Sequence, residues 1–288
     1  MRRVLPAAGL AVLAALAGCD DEPSARSTDY SVGPDDQYVA LGDSYTAAPR
    51  TGPNADTSGC SNTTVNYPHR IADATGVELQ DTSCNGASTS HLTVPKPATE
   101  RGPQLDAVDE DTDLVTMRLG ANDYNIIFRM FACAQRFGPE LPGTPCADFD
   151  ARGGENSLDN RLVDVRANLE GAVDAIEERA PDARIILIGY PHLAPAEGTC
   201  DELPLPAGDY AYARRIIDGL NDALEAVAGE NGLTYVDMEG PGAGHDICGD
   251  EPWMAGPGLP VVGATPWHPY AAESQAVAEL VLAELEDD

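Results

Sequence analysis

Positive charge is the scarcest feature of this 288-residue sequence. It has 17 lysine and arginine residues against 48 aspartate and glutamate residues, a formal net charge of -31, and its one lysine is Lys96. A surface of this sign repels nucleic acids and other polyanions. We therefore expect no nucleic-acid partner, and electrostatic adhesion to an anionic membrane is disfavoured.

Long hydrophobic runs are also scarce. The N-terminal run Val4–Ala17 follows two arginines and has about 14 residues, short of the roughly 20 needed to cross a bilayer. This layout is typical of a signal peptide. The run ends in Leu16-Ala17-Gly18-Cys19, which resembles a bacterial lipobox. We expect residues 1–19 to be a lipoprotein signal peptide, with Cys19 lipidated at the cell surface; plain export with cleavage nearby is the alternative.

The sequence has one segment that lacks any apolar period, residues 20–36. It is rich in aspartate, serine and proline, which predicts a flexible tether. No second linker and no internal repeat follow, so we expect residues 37–288 to form one domain. We also expect the protein to be a monomer. Attachment to a membrane would depend on the lipid at Cys19.

The sequence has seven cysteines, and six remain once Cys19 is assigned to the lipobox. An even number in an exported chain indicates disulfides. Sequence order and local spacing suggest the pairs Cys60–Cys84, Cys133–Cys146 and Cys200–Cys248. A zinc site is the alternative, but no two cysteines stand two apart and no histidines accompany them at ligand spacing. There is also no glycine-rich phosphate loop, so we predict no metal and no cofactor.

Apolar segments alternate with amphipathic ones along the domain. The predicted strands are Tyr38–Leu41, Val77–Gln80, Leu114–Leu119, Arg184–Ile188 and Thr234–Val236. The predicted helices are Tyr67–Ala74, Asn156–Arg179, Ala207–Glu230 and Pro269–Glu286. Strands that alternate with helices predict an α/β fold with a parallel sheet covered on both faces.

Turn-forming or polar residues follow three of these strands. Ser44 comes after the first strand in Gly42-Asp43-Ser44, Gly86 follows the second, and Asn122 follows the third. An ordinary turn is the alternative interpretation of Gly-Asp-Ser. His268 stands before the last helix. Because the carboxyl ends of parallel strands share one edge of a sheet, we expect these residues to meet there.

These residue types fit ester hydrolysis. A serine hydroxyl can attack the carbonyl carbon while a histidine takes its proton, and hydrogen-bond donors stabilise the resulting oxyanion. We assign Ser44 as nucleophile, His268 as base, and the N–H groups of Ser44 and Gly86 with the Asn122 side chain as oxyanion hole. Asp43 is expected to cap the turn after the nucleophile, and Asp123 to bond local backbone.

The order of these motifs resembles the SGNH hydrolase (GDSL esterase/lipase) superfamily. The match rests on Gly-Asp-Ser at 42–44, Gly86, Gly-Ala-Asn-Asp at 120–123 and His-Pro at 268–269. The six cysteines and the stretch from Gly244 to Trp253 are similar to its secreted actinobacterial three-disulfide branch, where neighbouring cysteines pair. The resemblance implies a flavodoxin-like three-layer α/β/α sandwich with a sheet of about five parallel strands. It also implies an exported esterase or lipase that acts on acyl esters or lipids through an acyl-enzyme.

One position departs from the pattern of that family. Many members have an aspartate three residues before the histidine, where this sequence has Thr265. Some members of the secreted branch orient the histidine with a main-chain carbonyl at that position. We therefore expect a Ser44–His268 dyad with the Thr265 carbonyl as acceptor; Asp246 or Asp250 is the alternative partner.

Two further alternatives concern function. The first is a glycan O-acetyl esterase, which would use the same chemistry on a different ester. The second is a non-catalytic surface binding protein on a hydrolase scaffold. In addition, the apolar cluster from Ile126 to Phe131 predicts either a wall of an acyl-binding site or an ordinary core helix.

Overall fold

A computed structural model describes Met1 and residues 32–258 and 262–286. The predicted signal peptide beyond Met1, the lipobox and most of the predicted tether lie outside the described residues. No helix in the described part of the chain is both long and apolar enough to span a membrane.

The domain is built on a five-stranded parallel sheet. Its strands are β1 (Gln37–Gly42), β2 (Glu78–Asp81), β3 (Leu114–Arg118), β4 (Arg184–Ile188) and β5 (Thr234–Val236). They lie in the order β2-β1-β3-β4-β5, with Val39 opposite Val115 and Val115 opposite Ile185. The predicted fold class is confirmed, and each predicted strand agrees with an observed one to within about a residue at either end.

Seven α-helices accompany the sheet. They are α1 (Ser44–Ala47), α2 (Tyr67–Thr75), α3 (Ile126–Arg136), α4 (Pro145–Ala151), α5 (Leu158–Arg179), α6 (Tyr210–Asn231) and α7 (Ala271–Glu286) within residues 32–258 and 262–286. The long helix α5 begins at Leu158 because the Ser157 side chain accepts a hydrogen bond from the Asn160 N–H. Helix α6 begins later than predicted, since Ala207–Asp209 forms a 3-10 turn.

Alternate strand residues divide the interior into two apolar layers. Val39, Leu41 and Met117 pack on the face covered by α5 and α6. Tyr38 and Ile186 pack on the opposite face, which is covered by α2 and α7. A strand buried on both faces must be apolar at successive positions, which explains the continuous apolar run in β4.

Three disulfides cross-link the loops at the carboxyl edge of the sheet. They join Cys60 to Cys84, Cys133 to Cys146 and Cys200 to Cys248, which confirms the predicted pairing. Disulfides persist in oxidising compartments, and they therefore indicate an extracellular protein. The Cys133–Cys146 bond ties α4 to α3.

Candidate active site

The segment with Ser44 is a tight connection from strand to helix. β1 ends at Gly42, and the Asp43 carboxylate accepts a hydrogen bond of 2.8 Å from the Tyr45 N–H, so Asp43 caps α1 as predicted. A Cβ at Gly42 would stand 2.1 Å from the Thr46 hydroxyl oxygen, so only glycine fits. Ser44 is 5% exposed. The turn therefore holds Ser44 at the carboxyl end of β1.

The loop after β2 is held against the segment that follows β3. The Asn122 side chain donates a hydrogen bond of 2.9 Å from Nδ2 to the Ala87 carbonyl. Next to it, the Asp123 carboxylate accepts from the Thr89 N–H at 2.9 Å. Asn122 thus lies beside Gly86, as the sequence predicted. The expectation that Asp123 bonds local backbone is wrong, because this carboxylate joins the two loops.

Two backbone donors at this edge are available to a ligand. Within residues 32–258 and 262–286, no protein acceptor engages the N–H groups of Ser44 or Gly86. Gly86 has φ +74°, which glycine adopts without strain. A Cβ there would meet the Lys96 side chain at 3.6 Å, so the chain's one lysine flanks this loop.

His268 is oriented by a main-chain carbonyl. Its Nδ1 lies 2.7 Å from the Pro266 carbonyl oxygen. Because a carbonyl can only accept, Nδ1 carries the hydrogen and Nε2 keeps its lone pair in the neutral ring. The prediction that Thr265 supplies this carbonyl is wrong. The Thr265 carbonyl accepts from the His268 backbone N–H at 3.1 Å instead, since the turn brings the following carbonyl opposite the ring.

The acids considered as alternative partners of His268 are placed differently. Asp246 accepts a hydrogen bond of 2.9 Å from the Cys248 N–H, which caps the loop closed by the Cys200–Cys248 disulfide. Asp250 lies exposed in the same loop. The neighbouring His245 stacks on Trp253 with ring centroids 4.5 Å apart. The contacts of this loop are therefore structural.

The segments with Ser44 and His268 meet through their neighbours in sequence. The Tyr45 hydroxyl donates a hydrogen bond of 3.1 Å to the Trp267 carbonyl, and the rings of Tyr45 and His268 lie 5.9 Å apart. The two candidate side chains, both within the described residues, share no direct hydrogen bond. Such bonds are often long in ligand-free enzymes and tighten when substrate binds.

The strand order explains why these segments converge. β1 lies between β2 and β3, so the loops with Ser44, Gly86 and Asn122 leave three adjacent strands at their carboxyl ends. From β1 the chain continues to β2 on one side, and from β3 it continues to β4 and β5 on the other. Open α/β sheets bind ligands at such a switch point. The structure thus brings the predicted residues to one edge.

Burial changes the pKa of two groups at this edge. It lowers the pKa of His268, although the hydrogen bond to the Pro266 carbonyl partly opposes this shift. It also raises the pKa of Asp43 to about 6 against hydrogen bonds from the Tyr45 N–H and the Tyr190 hydroxyl. The lowered pKa of His268 favours the neutral ring, which can accept a proton.

Several buried side chains support the site but were missed in the sequence. Gln104 accepts from the Gly42 N–H at 2.8 Å and donates to the Gly42 carbonyl at 2.9 Å. The Tyr190 hydroxyl donates to Asp43 at 2.8 Å. Each pair is separated by more than 60 residues, so no local pattern could have identified these contacts.

A buried ion pair lies beneath the site and was also missed. The Arg118 Nη1 donates to the Glu273 carboxylate at 2.7 Å, and both side chains are fully buried. The guanidinium carbon stands 5.5 Å from the Tyr45 ring centroid and 5.0 Å from that of Tyr190. The pair links β3 to the first turn of α7, which follows His268.

Most of the apolar cluster in α3 belongs to the core. Ile126, Ile127 and Met130 are buried, whereas Phe131 stacks on Trp267 at 4.5 Å. A cavity of about 10 Å³ borders these two rings, and its other lining side chains, among them Leu193 and Leu203, are apolar. Phe128 is exposed. The core interpretation therefore holds for most of the cluster, and Phe131 contacts the ring next to His268 in sequence.

One group of side chains in the described chain has metal-ligand chemistry. His192, Asp218 and Glu239 place their donor atoms within 4.8 Å of one another. His192 Nε2 already lies 2.5 Å from an Asp218 oxygen, and Glu239 accepts from Asn221. The group is thus a hydrogen-bonded cluster of side chains, and nothing in its geometry requires an ion.

Comparison with known proteins gives a consistent result. The model of the GDSL-like lipase/acylhydrolase family matches residues 40–275. The chain is 37% identical to a protein named Lipase 2 from Streptomyces coelicolor, over 97% of this chain and 95% of that protein. It is 33% identical to an esterase from Streptomyces scabiei, over 73% of this chain and 72% of that protein.

Solved structures show the same fold. An extracellular lipase from Streptomyces rimosus superposes with a TM-score of 0.70 at 28% identity, over 86% of this chain and 99% of that one. A phospholipase A1 from Streptomyces albidoflavus superposes with a TM-score of 0.72 over the same shares at 23% identity. The second likeness concerns the fold alone.

Proposed function

The chain belongs to the GDSL-like lipase/acylhydrolase family and is a carboxylic ester hydrolase, and we propose that Ser44 and His268 perform the hydrolysis. The observation that carries this proposal is the hydrogen bond of 2.7 Å between His268 Nδ1 and the Pro266 carbonyl. It selects the tautomer whose Nε2 can take a proton from a serine hydroxyl.

Acylation follows from these positions. The Ser44 Oγ attacks the ester carbonyl carbon while His268 Nε2 takes the hydroxyl proton, and a tetrahedral oxyanion forms. The N–H groups of Ser44 and Gly86 and the Asn122 amide donate to this oxyanion. The carbon–oxygen bond to the alcohol then breaks, and the imidazolium returns the proton to the departing alcohol.

Deacylation repeats the same steps with water. His268 takes a proton from a water molecule as its oxygen attacks the acyl carbon on Ser44. The second oxyanion collapses, the bond to the Ser44 Oγ breaks, and the serine recovers its proton from His268. The products are a free acid and the enzyme in its starting state.

The dyad works without an orienting carboxylate. The Pro266 carbonyl holds the ring but brings only a dipole to the imidazolium that forms during the reaction. Burial also disfavours the imidazolium and lowers the pKa of His268, and the Pro266 carbonyl opposes this only in part. We infer that orientation of the correct tautomer, more than charge compensation, is the contribution of this segment.

We propose acyl esters of the lipid type as substrates. The relatives named lipase cover most of this chain and most of their own length, which supports this class over a glycan O-acetyl ester. A series of p-nitrophenyl esters of increasing acyl length tests the choice. A medium-chain optimum is expected, and strict preference for acetyl would favour the glycan ester instead.

The catalytic assignment is tested by Ser44→Ala. The variant should lose hydrolysis of p-nitrophenyl butyrate and labelling by a fluorophosphonate, while its circular dichroism spectrum stays unchanged. Ser90→Ala is the matched control, because Ser90 is exposed in the loop that follows Gly86, and it should retain both. Full turnover by pure Ser44→Ala protein would refute the assignment, and would leave open a binding role for this edge.

We further propose that the protein acts as a monomer at the cell surface. In this arrangement residues 1–19 direct export, Cys19 carries the lipid, and residues 20–36 tether the hydrolase domain of residues 37–288. The cysteine directly after Ala17-Gly18 supports the proposal. Mass spectrometry of the membrane fraction should find a lipidated N-terminal cysteine, and Cys19→Ser should release soluble protein into the medium. Sedimentation should give one chain per particle.

A further inference from the structure

A cavity of about 480 Å³ lies beside α3 and α4, apart from the residues assigned to hydrolysis. Its walls include Arg129 and Arg136 from α3, Phe149 from α4, and Arg152 directly after α4. The Cys133–Cys146 disulfide also lines the cavity and ties the two helices together. Such a volume lies in the range typical of sites for small ligands.

The cavity concentrates positive charge in an acidic chain. Three of its lining residues are arginines, in a sequence with 17 basic and 48 acidic residues. Within the described ranges, Arg136 and Arg152 have no carboxylate in salt-bridge range. Carboxylates are abundant elsewhere on this protein, so two arginines without one give this cavity an unusual local positive charge.

The two arginines share one aromatic ring. Their guanidinium carbons lie 4.8 Å and 5.5 Å from the Phe149 ring centroid, for Arg136 and Arg152 respectively. Each contact is favourable by itself. Two like charges beside one ring nevertheless repel each other, and an anion between them would relieve this repulsion.

The one carboxylate in the cavity wall is already engaged. Asp150 accepts from Arg129 Nη2 at 2.8 Å and, through its other oxygen, from the Leu158 N–H at 2.8 Å. It therefore neutralises Arg129 and caps the first turn of α5. The charge that remains in the cavity belongs to Arg136 and Arg152.

Another part of the wall is apolar. Ala132, Phe149 and Leu158 contribute hydrocarbon or aromatic surface, and the volume exceeds what an inorganic anion needs. We propose that this cavity binds an amphipathic anion, namely a carboxylate or phosphate head group on a short hydrocarbon chain. Arg136 and Arg152 contact the head group, and Phe149 and Leu158 contact the chain. Arginine suits this role because its planar fork matches the oxygens of either head group.

The site is connected to the catalytic edge through one helix. Arg129 and Arg136 lie on α3, as does Phe131, which stacks on Trp267 beside His268. Binding does not depend on the chemistry of Ser44, so the inference can be tested independently of the proposed function.

The test is calorimetric titration of protein whose active-site serine has first been blocked with a fluorophosphonate. If no adduct forms, Ser44→Ala protein takes its place. Sodium octanoate and octyl phosphate are the probes, and octanol, sodium acetate and inorganic phosphate are the controls for chain and head group. We expect saturable binding of at least one octyl anion and much weaker binding of the three controls. The two probes distinguish a carboxylate from a phosphate head group.

The double variant Arg136→Gln/Arg152→Gln should weaken binding at least about tenfold, because it removes two charge-assisted contacts. Both side chains are exposed, so the fold should persist, and hydrolysis of p-nitrophenyl butyrate by unblocked variant should match the wild type. Arg215→Gln, on an exposed arginine paired with Asp159, is the matched control and should bind as the wild type does.

Three results would overturn the inference. One is the absence of saturable binding of either octyl anion. Another is equal affinity of the double variant and the wild type. The third is equal affinity for octanol and the two anions, which would indicate a purely apolar site.

Discussion

The buried ion pair between Arg118 and Glu273 allows the sharpest prediction about stability. Their side chains are fully buried and joined by one hydrogen bond of 2.7 Å. Glu273→Leu would leave the guanidinium buried without a counter-charge, which typically costs about 3–5 kcal/mol. For a domain of this size, each kcal/mol lowers Tm by roughly 2–4 °C. We therefore expect Tm to fall by about 6–20 °C.

Removing both charges should have a different result. The pair leaves Arg118 Nε and Nη2 and one Glu273 oxygen buried without a hydrogen-bond partner, so its desolvation is only partly compensated. An apolar pair of similar volume is often neutral or stabilising in such a place. The free energy of unfolding of Arg118→Met/Glu273→Leu should therefore lie within about 1 kcal/mol of the wild-type value, or exceed it.

Urea unfolding with the disulfides intact, followed by circular dichroism, measures these differences. The control is the exposed pair Arg215–Asp159, with an N–O distance of 3.1 Å and both side chains about half exposed. Asp159→Leu should cost no more than about 1 kcal/mol. If the double variant at 118 and 273 were as unstable as Glu273→Leu, packing rather than an uncompensated charge would be the cause, and the reasoning would fail.

Three further predictions concern the catalytic edge. Asn122→Ala should lower kcat by about 10²–10³ with little change in KM, because it removes a donor that acts on the transition state; unchanged kcat in steady-state assays would exclude Asn122 from the oxyanion hole. The acid limb of kcat/KM should lie below pH 6.5, since burial lowers the pKa of His268 from 6.5, and a limb above that pH would contradict the assignment of His268 as base. Burial raises the pKa of Asp43 to about 6 in the folded chain, from 3.8 for an unburied aspartate. The folded chain therefore holds this proton more tightly than the unfolded chain. The free energy of unfolding of the wild type, relative to that of Asp43→Asn, should therefore fall by about 3 kcal/mol as pH rises from 3.8 to about 6. A difference between the two urea midpoints that does not change with pH would contradict this.

Local pattern was sufficient for much of the architecture. The alternation of apolar strands with amphipathic helices predicts a parallel sheet, because only a strand covered on both faces is apolar at successive positions. Ser44, Gly86 and Asn122 each follow a predicted strand, and parallel strands end at one edge. The cysteine pairs are neighbours in sequence order, so their loops close locally.

Local pattern was insufficient where a turn depends on distant contacts. The Pro266 carbonyl, rather than that of Thr265, receives the His268 ring hydrogen bond. Trp267 has φ +65° in this turn, and its carbonyl and N–H bond Tyr45 and Ala255. Those contacts determine which carbonyl faces the ring, and no spacing between 265 and 268 encodes them.

The sequence by itself determined the layers, the disulfide framework and the strand ends that bear the candidate residues, since each depends on periodicity or on neighbours along the chain. Tertiary structure alone decided the strand order that places β1 beside β3, the Gln104 contacts on Gly42, and the pairing of Arg118 with Glu273. These partners are 62 and 155 residues apart. A contact over such a separation forms only because the folded sheet brings two unrelated segments to the same place.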